Sequence, residues 1–344
     1  MRITFLAPCN DLSGGLLVIA TYANKLIELG HSVTIVYPKK QLRLHRKIKQ
    51  AAVKLFTHQR THFDHFKGLL LAVSSFDNRS IPDADILIAT AWETAEWSRS
   101  LSRSKGRKYY FIQGHEVWNG NADQVYQTYN LPFRKITVSS WLKDLVSQLS
   151  GDENIDVVPN ACDFPPVDLE AIHDKRRYDV GMVYSVSPHK GANAGITMLN
   201  ILHGKNPELN FVLFGTERPA EELPPNTRFY LKPSRSKIAS IYQSAKLWIS
   251  TSLEEGFCLP CLEAMSAGSV VVSTDNKGVN DIIENGKSGY IIPSNKPDDM
   301  VNQIEDLLLK TETLQQTRIA GVNRSKHFNW NRSAEKLSNI LMEV

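Results

Sequence analysis

Short apolar runs, each about the length of one strand, recur along the chain and are separated by amphipathic stretches of helical spacing. In the first half they predict strands at residues 3–7, 31–37, 85–89, 108–112, 135–138 and 156–158. Their nearly continuous apolar character is typical of parallel strands that are buried on both faces. Between the first two runs, apolar residues from Leu16 to Ile27 recur at helical spacing. Strand, helix and strand in this order indicate a βαβ unit.

The second half repeats this pattern. It predicts strands at residues 178–184, 211–214, 228–231, 247–249, 270–272 and 291–292, with helices between them and a last helix that ends at Met342. A chain of 344 residues is longer than one typical core requires. We therefore predict the α/β class, with two doubly wound Rossmann-like domains at 1–165 and 166–327 and a C-terminal helix at 328–344.

The composition is that of a globular protein, with 42% hydrophobic and 22% charged residues. No apolar run approaches the roughly 18 residues that a membrane span needs. The first eight residues lack the pattern of a cleaved signal peptide and instead resemble a first strand. The four cysteines are too few for a disulfide framework in a chain of this size. Together these features predict a cytoplasmic protein.

Positive charge is concentrated in the first half. The net charge of +4 divides into +5 for residues 1–165 and −1 for the remainder. Residues 39–67 hold nine Lys or Arg, four His and one acid, and their apolar residues recur at nearly helical spacing. This basic segment is either a solvated helix face or a surface that docks on anionic lipid at the inner face of the cell membrane. We expect no nucleic-acid partner, because the sequence contains no recognition motif for one.

Two candidate sites follow predicted strands of the first half. Gly14-Gly15 opens a helix and lets the backbone approach a ligand, but the G-x-G-x-x-G dinucleotide pattern is lacking, and a tight turn is the alternative. His115 and Glu116 follow the strand at 108–112. In a parallel sheet they would lie at the carboxyl edge, where ligands of α/β proteins bind. A polar loop histidine is the alternative.

The most informative stretch lies between the fourth and fifth predicted strands of the second half. Its loop contains Glu255 and its helix contains Glu263, while Pro260 fits the first helical position and Gly268 a left-handed C-cap. A helix N-terminus offers free N–H groups to an anionic ligand. An ordinary βαβ unit with two solvated acids is the alternative.

Two cysteines, Cys258 and Cys261, lie between these glutamates. A C-x-x-C spacing occurs in redox sites and in zinc sites. A second cysteine pair, which a zinc site of this kind needs, is lacking in the sequence. We therefore favour neither role.

The stretch from Glu255 to Glu263, with seven residues between them and Gly256-Phe257 and Leu259-Pro260 inside, resembles the E-x7-E signature of retaining glycosyltransferases of family four. These enzymes adopt the GT-B fold. The resemblance implies two domains that face each other across a cleft and a last helix that crosses back to the first domain. It also implies that Glu255 faces the donor sugar and that Glu263 holds the nucleotide ribose. The backbone that binds sugar hydroxyls would be that of Gly256, Phe257, Cys258 and Leu259.

Further motifs extend the resemblance over nearly the whole chain, with residues 39–80 matched least. Lys190-Gly191 matches the family's G-R-L-x-x-x-K-G, in which Arg and Lys grip the diphosphate. Ser185 stands at the Arg position, and Arg235 or Lys232 could supply the missing cation. Residues 158–163 resemble the family's P-N-G-V-D.

The resemblance also assigns the remaining candidates. The implied catalytic residues are Glu255, His115 and Lys190. The further implied contacts to the donor or acceptor are Gly14, Gly15, Glu116, Ser185, Gly191, Gly215, Leu231, Lys232 and Ile238. Of these, Leu231, Lys232 and Ile238 would line the base pocket, and Glu116 would lie at the acceptor mouth beside Trp118.

The function that follows is retaining hexosyl transfer from a nucleotide diphosphate-sugar to a glycan or a lipid-linked saccharide, in cell-surface polysaccharide biosynthesis. The resemblance implies no metal and no other cofactor. Two alternatives stay open. One is another GT-B enzyme, such as a sugar-nucleotide epimerase. The other is a non-catalytic subunit that binds a sugar nucleotide or a glycan, which Ser185 makes conceivable.

Overall fold

The computed structural model describes residues 1–39, 61–119, 121–162, 164, 167–168, 176–293 and 296–343. The chain divides into two compact units, Met1–Pro159 with Trp330–Val344, and Asn160–Asn329. The first boundary follows Pro159 rather than residue 165, because Phe164 packs against Tyr242 of the second unit with ring centroids 6.1 Å apart.

A parallel sheet of seven strands forms the centre of the first unit, in the order β3-β2-β1-β4-β5-β6-β7. The strands are β1 (Arg2–Leu6), β2 (Ser32–Pro38), β3 (Leu69–Val73), β4 (Ile86–Ala89), β5 (Arg107–Ile112), β6 (Arg134–Thr137) and β7 (Ile155–Val157). The six predicted strands are confirmed within one or two residues. The edge strand β3 was missed, although its five residues form a continuous apolar run of the kind that predicted the other strands.

Helices lie between consecutive strands of the chain and cover this sheet. They are α1 (Gly14–Glu28), α2 (Trp92–Ser98), α3 (Ala122–Tyr129) and α4 (Ser140–Ser150). The predicted apolar face of α1 is buried at Leu16, Ala20, Ala23 and Leu26, as helical spacing requires.

The second unit contains a parallel sheet of six strands, in the order β10-β9-β8-β11-β12-β13. The strands are β8 (Tyr178–Tyr184), β9 (Phe211–Gly215), β10 (Thr227–Leu231), β11 (Ala245–Ser250), β12 (Val270–Thr274) and β13 (Tyr290–Ile292). The helices are α5 (Ala192–Lys205), α6 (Arg235–Gln243), α7 (Leu259–Ser266), α8 (Pro297–Leu309) and α9 (Thr311–Ser325). Each predicted strand of this half is confirmed. Apolar residues of the central strands and of α5 and α8 form the core of this unit.

The last helix, α10 (Trp330–Met342), belongs to the first unit. Its Trp330 ring meets Tyr22 of α1 edge-on, with centroids 5.0 Å apart. His31 Nε2 lies 2.8 Å from Ser338 Oγ. The helix is apolar on the face that it buries, so its hydrophobic stripe and these polar contacts together fix its position.

Among the residues that the structure describes, no helix has both the length and the apolar composition that crossing a bilayer requires. Most of the basic segment predicted at 39–67 lies outside those residues, because residues 40–60 are not described.

A substitution at Gly181 in β8 tests the packing of the second core. A Cβ there would overlap the ring of Trp248, approaching its Cε3 to 2.5 Å, and Trp248 is buried at 1% exposure. We expect Gly181→Ala to lower the free energy of unfolding by on the order of 1–3 kcal/mol in urea titrations. Gly204→Ala in α5 is the matched control, since no atom lies near its Cβ position. Equal stability of the two variants would contradict the prediction.

Candidate active site

The carboxyl edge of the second sheet gathers most of the predicted donor contacts. Strands β8 to β11 run parallel, so their carboxyl ends lie at one edge. The predicted residues that end or follow these strands are Ser185, Lys190, Gly191, Gly215, Leu231, Lys232 and Glu255. Ligands of open α/β sheets bind at such an edge.

Lys190 and Glu255 form an ion pair at this edge, in which the ammonium contacts both carboxylate oxygens. Lys190 Nζ lies 2.8 Å from Oε1 and 2.7 Å from Oε2 of Glu255. The Ser252 hydroxyl donates a further hydrogen bond to Oε1 at 2.8 Å, and Glu255 is only 8% exposed. Burial lowers the pKa of Lys190, but the Glu255 carboxylate outweighs this effect and holds that pKa above its ordinary value. Lys190 therefore stays charged at neutral pH.

The turn that presents Lys190 fits closely against the end of β11. Pro188–Lys190 forms one 3₁₀ turn, and Gly191 follows with a φ of +61°. A Cβ on Gly191 would overlap the carbonyl oxygen of Thr251, while Thr251 Oγ1 donates to the Gly191 carbonyl at 2.9 Å. Both the left-handed backbone and the lack of space therefore require glycine here.

Two residues that the sequence analysis missed support the Glu255 loop from beyond β12. The buried Asn276 accepts the Glu255 N–H at its carbonyl, 2.9 Å away. A Cβ on Gly278 would lie 2.7 Å from the Glu255 carbonyl oxygen. The Asp275–Gly278 stretch after a predicted strand was a signal for a turn, but its contact with Glu255 depends on the strand order.

Glu263 is buried in α7 and is held at both carboxylate oxygens. Arg235 Nη2 lies 2.6 Å from Oε1, and the Tyr242 hydroxyl donates to Oε2 at 3.0 Å. The Arg235 guanidinium also stacks over the Phe164 ring at 4.1 Å, a cation–π contact. Burial first, and then the Glu263 charge, raises the pKa of Tyr242 well above its ordinary value. Tyr242 therefore remains a hydrogen-bond donor.

The ends of α7 follow the predicted pattern with one shift. The helix begins at Leu259, so Pro260 is its second residue rather than its first. Gly268 has a φ of +79°, and its N–H donates to the Met265 carbonyl at 3.0 Å. The predicted left-handed C-cap is therefore confirmed.

The sequence suggested that Arg235 could replace the arginine that is missing at position 185, but Arg235 contacts Glu263 instead. Ser185, at the Arg position, accepts the N–H of Ser187 at its hydroxyl, 3.2 Å away, and so closes its own turn. Lys190 is consequently the cation that the structure shows in contact with Glu255.

The predicted base-pocket residues lie at the end of β10 and on α6. Leu231 is 44% exposed, and Lys232 follows with a φ of +47° while its N–H donates to the Gly215 carbonyl at 2.8 Å. Ile238 is half-buried in α6. The structure thus brings these residues to one edge.

The residues between the two glutamates form a tight turn. Gly256 and Phe257 are buried, and Leu259 begins α7. Cys258 has a φ of +50° and a ψ of +59°, a left-handed conformation that costs roughly 1–2 kcal/mol for a residue other than glycine.

The predicted residues of the first unit lie at the carboxyl ends of β1 and β5. Gly14 begins α1, and a Cβ on Gly15 would meet the Gln113 amide in ordinary contact at 3.6 Å. The His115 ring stacks on Tyr126 with centroids 5.8 Å apart and planes 14° apart. These residues form one set in the first unit, and the Glu255 and Glu263 set belongs to the second.

Glu116 has a structural contact in the first unit that the sequence did not suggest. Its φ is +61°, and its Oε2 accepts the N–H of Trp92, the first residue of α2, at 2.8 Å. Burial raises the pKa of Glu116 from about 4.5 to about 8; the Trp92 N–H opposes this rise and the charge of Glu93 adds to it. The side chain is therefore largely protonated at neutral pH.

Two units, each with a parallel sheet between helices, are the architecture of the GT-B fold, and solved structures confirm this fold. The chain is similar to S. aureus TarM, with a TM-score of 0.77 and 13% identity over 99% of both chains. It is also similar to Anabaena HepE in complex with UDP and glucose, with a TM-score of 0.75 and 15% identity over 100% of both chains.

Residues 170–324 match the sequence model of the family described as glycosyl transferases group 1. The resemblance predicted from the sequence is thereby confirmed over the range that contains Lys190, Glu255 and Glu263. A D-inositol 3-phosphate glycosyltransferase of Paenarthrobacter aurescens is 24% identical over 220 residues, which cover 56% of this chain and 52% of that protein. The chain spans about half the length of the curated relatives it matches.

A double-mutant cycle tests whether Arg235 stabilises Glu263. We expect Arg235→Ala and Glu263→Gln to be coupled by about 1 kcal/mol in the free energy of unfolding, because Arg235→Ala leaves a buried carboxylate without its cation. Lys237→Ala with Glu263→Gln is the control cycle, since Lys237 is exposed on the same helix. Equal coupling in the two cycles would refute the specific ion pair.

The raised pKa of Glu116 predicts a pH-dependent loss of stability. Between about pH 4.5 and pH 8 the folded state binds a proton at Glu116 that the unfolded state releases, so stability from this group falls as the pH rises. Glu116→Gln removes this dependence and keeps an acceptor for the Trp92 N–H. Its stability relative to wild type should therefore increase from about pH 5 to about pH 8 in urea titrations. A constant difference would show that burial does not raise this pKa.

Proposed function

We propose that the protein is a retaining glycosyltransferase that moves a hexose from a nucleotide diphosphate-sugar to a saccharide or a lipid-linked saccharide. The observation that carries the proposal is the ion pair of Lys190 with Glu255, which lies within the residues that match the glycosyltransferase family. A half-buried lysine and a buried carboxylate at the carboxyl edge of a sheet are the groups that a reaction with charge separation requires.

In the proposed reaction, the bond between the anomeric carbon and the diphosphate breaks, and its electron pair leaves with the diphosphate. Lys190 would exchange a Glu255 oxygen for a phosphate oxygen and neutralise the growing negative charge, helped by the N-termini of α5 and α7. Glu255 would face the positive charge that develops on the sugar. The acceptor hydroxyl forms the new glycosidic bond and loses its proton to the leaving phosphate.

Glu263 would bind the ribose of the donor. A carboxylate has about four acceptor positions, and Arg235 and Tyr242 each use one oxygen. The two ribose hydroxyls of the donor would hydrogen-bond to this carboxylate while the contacts with Arg235 and Tyr242 hold the side chain in its orientation. Such a fixed acceptor would favour a nucleotide over free phosphate.

UDP-glucose is the first donor to test, because the structure of HepE, with a similar fold, was solved with UDP and glucose. We propose that transfer needs no metal, since Lys190 and the helix N-termini would supply the positive charge. A lipid-linked acceptor and docking on an anionic membrane depend on the basic segment at 39–67 and stay predictions.

The test compares Glu255→Gln with Glu254→Gln, its neighbour in the same loop. We expect Glu255→Gln to reduce UDP release from UDP-glucose in the presence of a saccharide acceptor by about 100-fold or more, because the neutral amide cannot stabilise the cation. Glu254→Gln should retain most activity. An active Glu255→Gln variant would reject the catalytic role, and a product with inverted anomeric configuration in NMR spectra would reject the retaining mechanism.

Donor binding is measured separately by thermal shift with UDP, GDP, TDP and ADP and their sugars. One nucleotide should stabilise wild type and fail to stabilise Glu263→Ala. If no nucleotide stabilises the wild type, the donor class proposed here is wrong.

A further inference from the structure

The sulfur atoms of Cys258 and Cys261 lie 2.9 Å apart in the segment between Glu255 and Glu263. Both side chains are buried, at 3% and 0% exposure. Neither the family match nor the proposed reaction uses their thiols. The other cysteines, Cys9 and Cys162, lie in other parts of the chain and are half-buried.

The local backbone brings the two sulfurs together. Cys258 precedes α7 in a left-handed conformation, and Cys261 is the third residue of the helix, with its N–H donating to the Cys258 carbonyl at 3.0 Å. Ser250 Oγ and Asn276 Nδ2 each lie 3.8 Å from Cys258 Sγ. The backbone at the N-terminus of α7 thus holds the two cysteine side chains in contact.

A metal does not explain the pair. Zinc in structural sites is bound by four protein ligands. In the part of the chain that the structure describes, no group of three or more His, Cys, Asp or Glu is arranged to hold a metal ion. The chemistry available to two touching thiols is therefore their oxidation.

We propose that Cys258 and Cys261 are a site of reversible oxidation, at which a hydroperoxide converts the two thiols into a disulfide that weakens donor binding. One thiolate attacks the peroxide, which gives a sulfenic acid and water. The second thiol attacks the sulfenic sulfur, forms the disulfide and releases another water. In total two thiols lose two electrons and two protons, and one hydrogen peroxide becomes two waters. A thiol reductant reverses the reaction.

The surroundings favour Cys258 as the thiol that reacts first. It lies at the helix N-terminus, and the Lys190 ammonium interacts electrostatically with both sulfurs. Burial raises the pKa of Cys261 well above its ordinary value, which disfavours its thiolate, so we assign Cys261 to the second step and not to the first. Because both side chains are buried, a small peroxide fits this site better than a bulky disulfide.

Oxidation would act on the donor site through the backbone. The sulfurs must move closer to form a bond, and Cys258 lies only three residues after Glu255 and five before Glu263. A shift of Cys258 therefore moves the loop that pairs with Lys190. This consequence rests on the proposed function, whereas the oxidation itself does not.

The chemical test uses Cys9→Ser/Cys162→Ser, which keeps only the pair. After peroxide treatment, alkylation under denaturing conditions and peptide mass spectrometry, we expect the peptide to lack two hydrogens and to resist alkylation until dithiothreitol is added. Cys261→Ala and Cys258→Gly in this background should show no such product, and glycine suits the left-handed φ at 258. Two thiols that stay alkylatable, or oxygen added to one cysteine without a cross-link, would overturn the proposal.

The functional test measures UDP-glucose affinity of the same background protein before and after peroxide. We expect oxidation to weaken the affinity by about fivefold or more, dithiothreitol to restore it, and the affinity of Cys261→Ala to be insensitive to peroxide. A disulfide that leaves the affinity unchanged would overturn the regulatory part. If the reduced protein binds no nucleotide, the proposed function fails, while the mass measurement still decides the oxidation.

Discussion

The ion pair between the half-buried Lys190 and the buried Glu255 is the interaction on which the second unit's site depends. It connects the turn after β8 with the loop after β11, which are neighbouring strands. Removing Lys190 would leave the buried Glu255 carboxylate without its cation, which would destabilise this edge of the sheet. The close fit of Gly191 against Thr251 and the support of Glu255 by Asn276 hold both charges at this distance.

The segment from Glu255 to Glu263 places two paired acids within a single turn and the start of a helix. Its first acid pairs with Lys190, and its second with Arg235 and Tyr242. The turn between them has a strained left-handed residue, Cys258. Strain at a binding loop persists only where the surrounding contacts determine the backbone, and the two acids anchor this loop at both ends.

Part of the site was predictable because its signals are local. The two glutamates, the Lys190-Gly191 pair and the helix C-cap at Gly268 each belong to a short continuous stretch of sequence. Arg235, Asn276 and Gly278 were missed or misassigned as partners, because each meets its glutamate across tens of residues of sequence. The capping contact of Glu116 with Trp92 likewise joins two separate strand ends.

The α/β class and the confirmed strands could be predicted from the residues alone, since burial on both faces imposes continuous apolar runs. The family match could be predicted as well, because its motifs are short stretches of sequence. The edge strand β3 was missed although its residues form a continuous apolar run, and the first boundary was placed too late because Phe164 packs into the second unit. The strand order, and with it which side chains share an edge, depends on tertiary packing. Hydrophobic pattern is a property of neighbouring residues, whereas ion pairs and sulfur contacts depend on how distant segments pack.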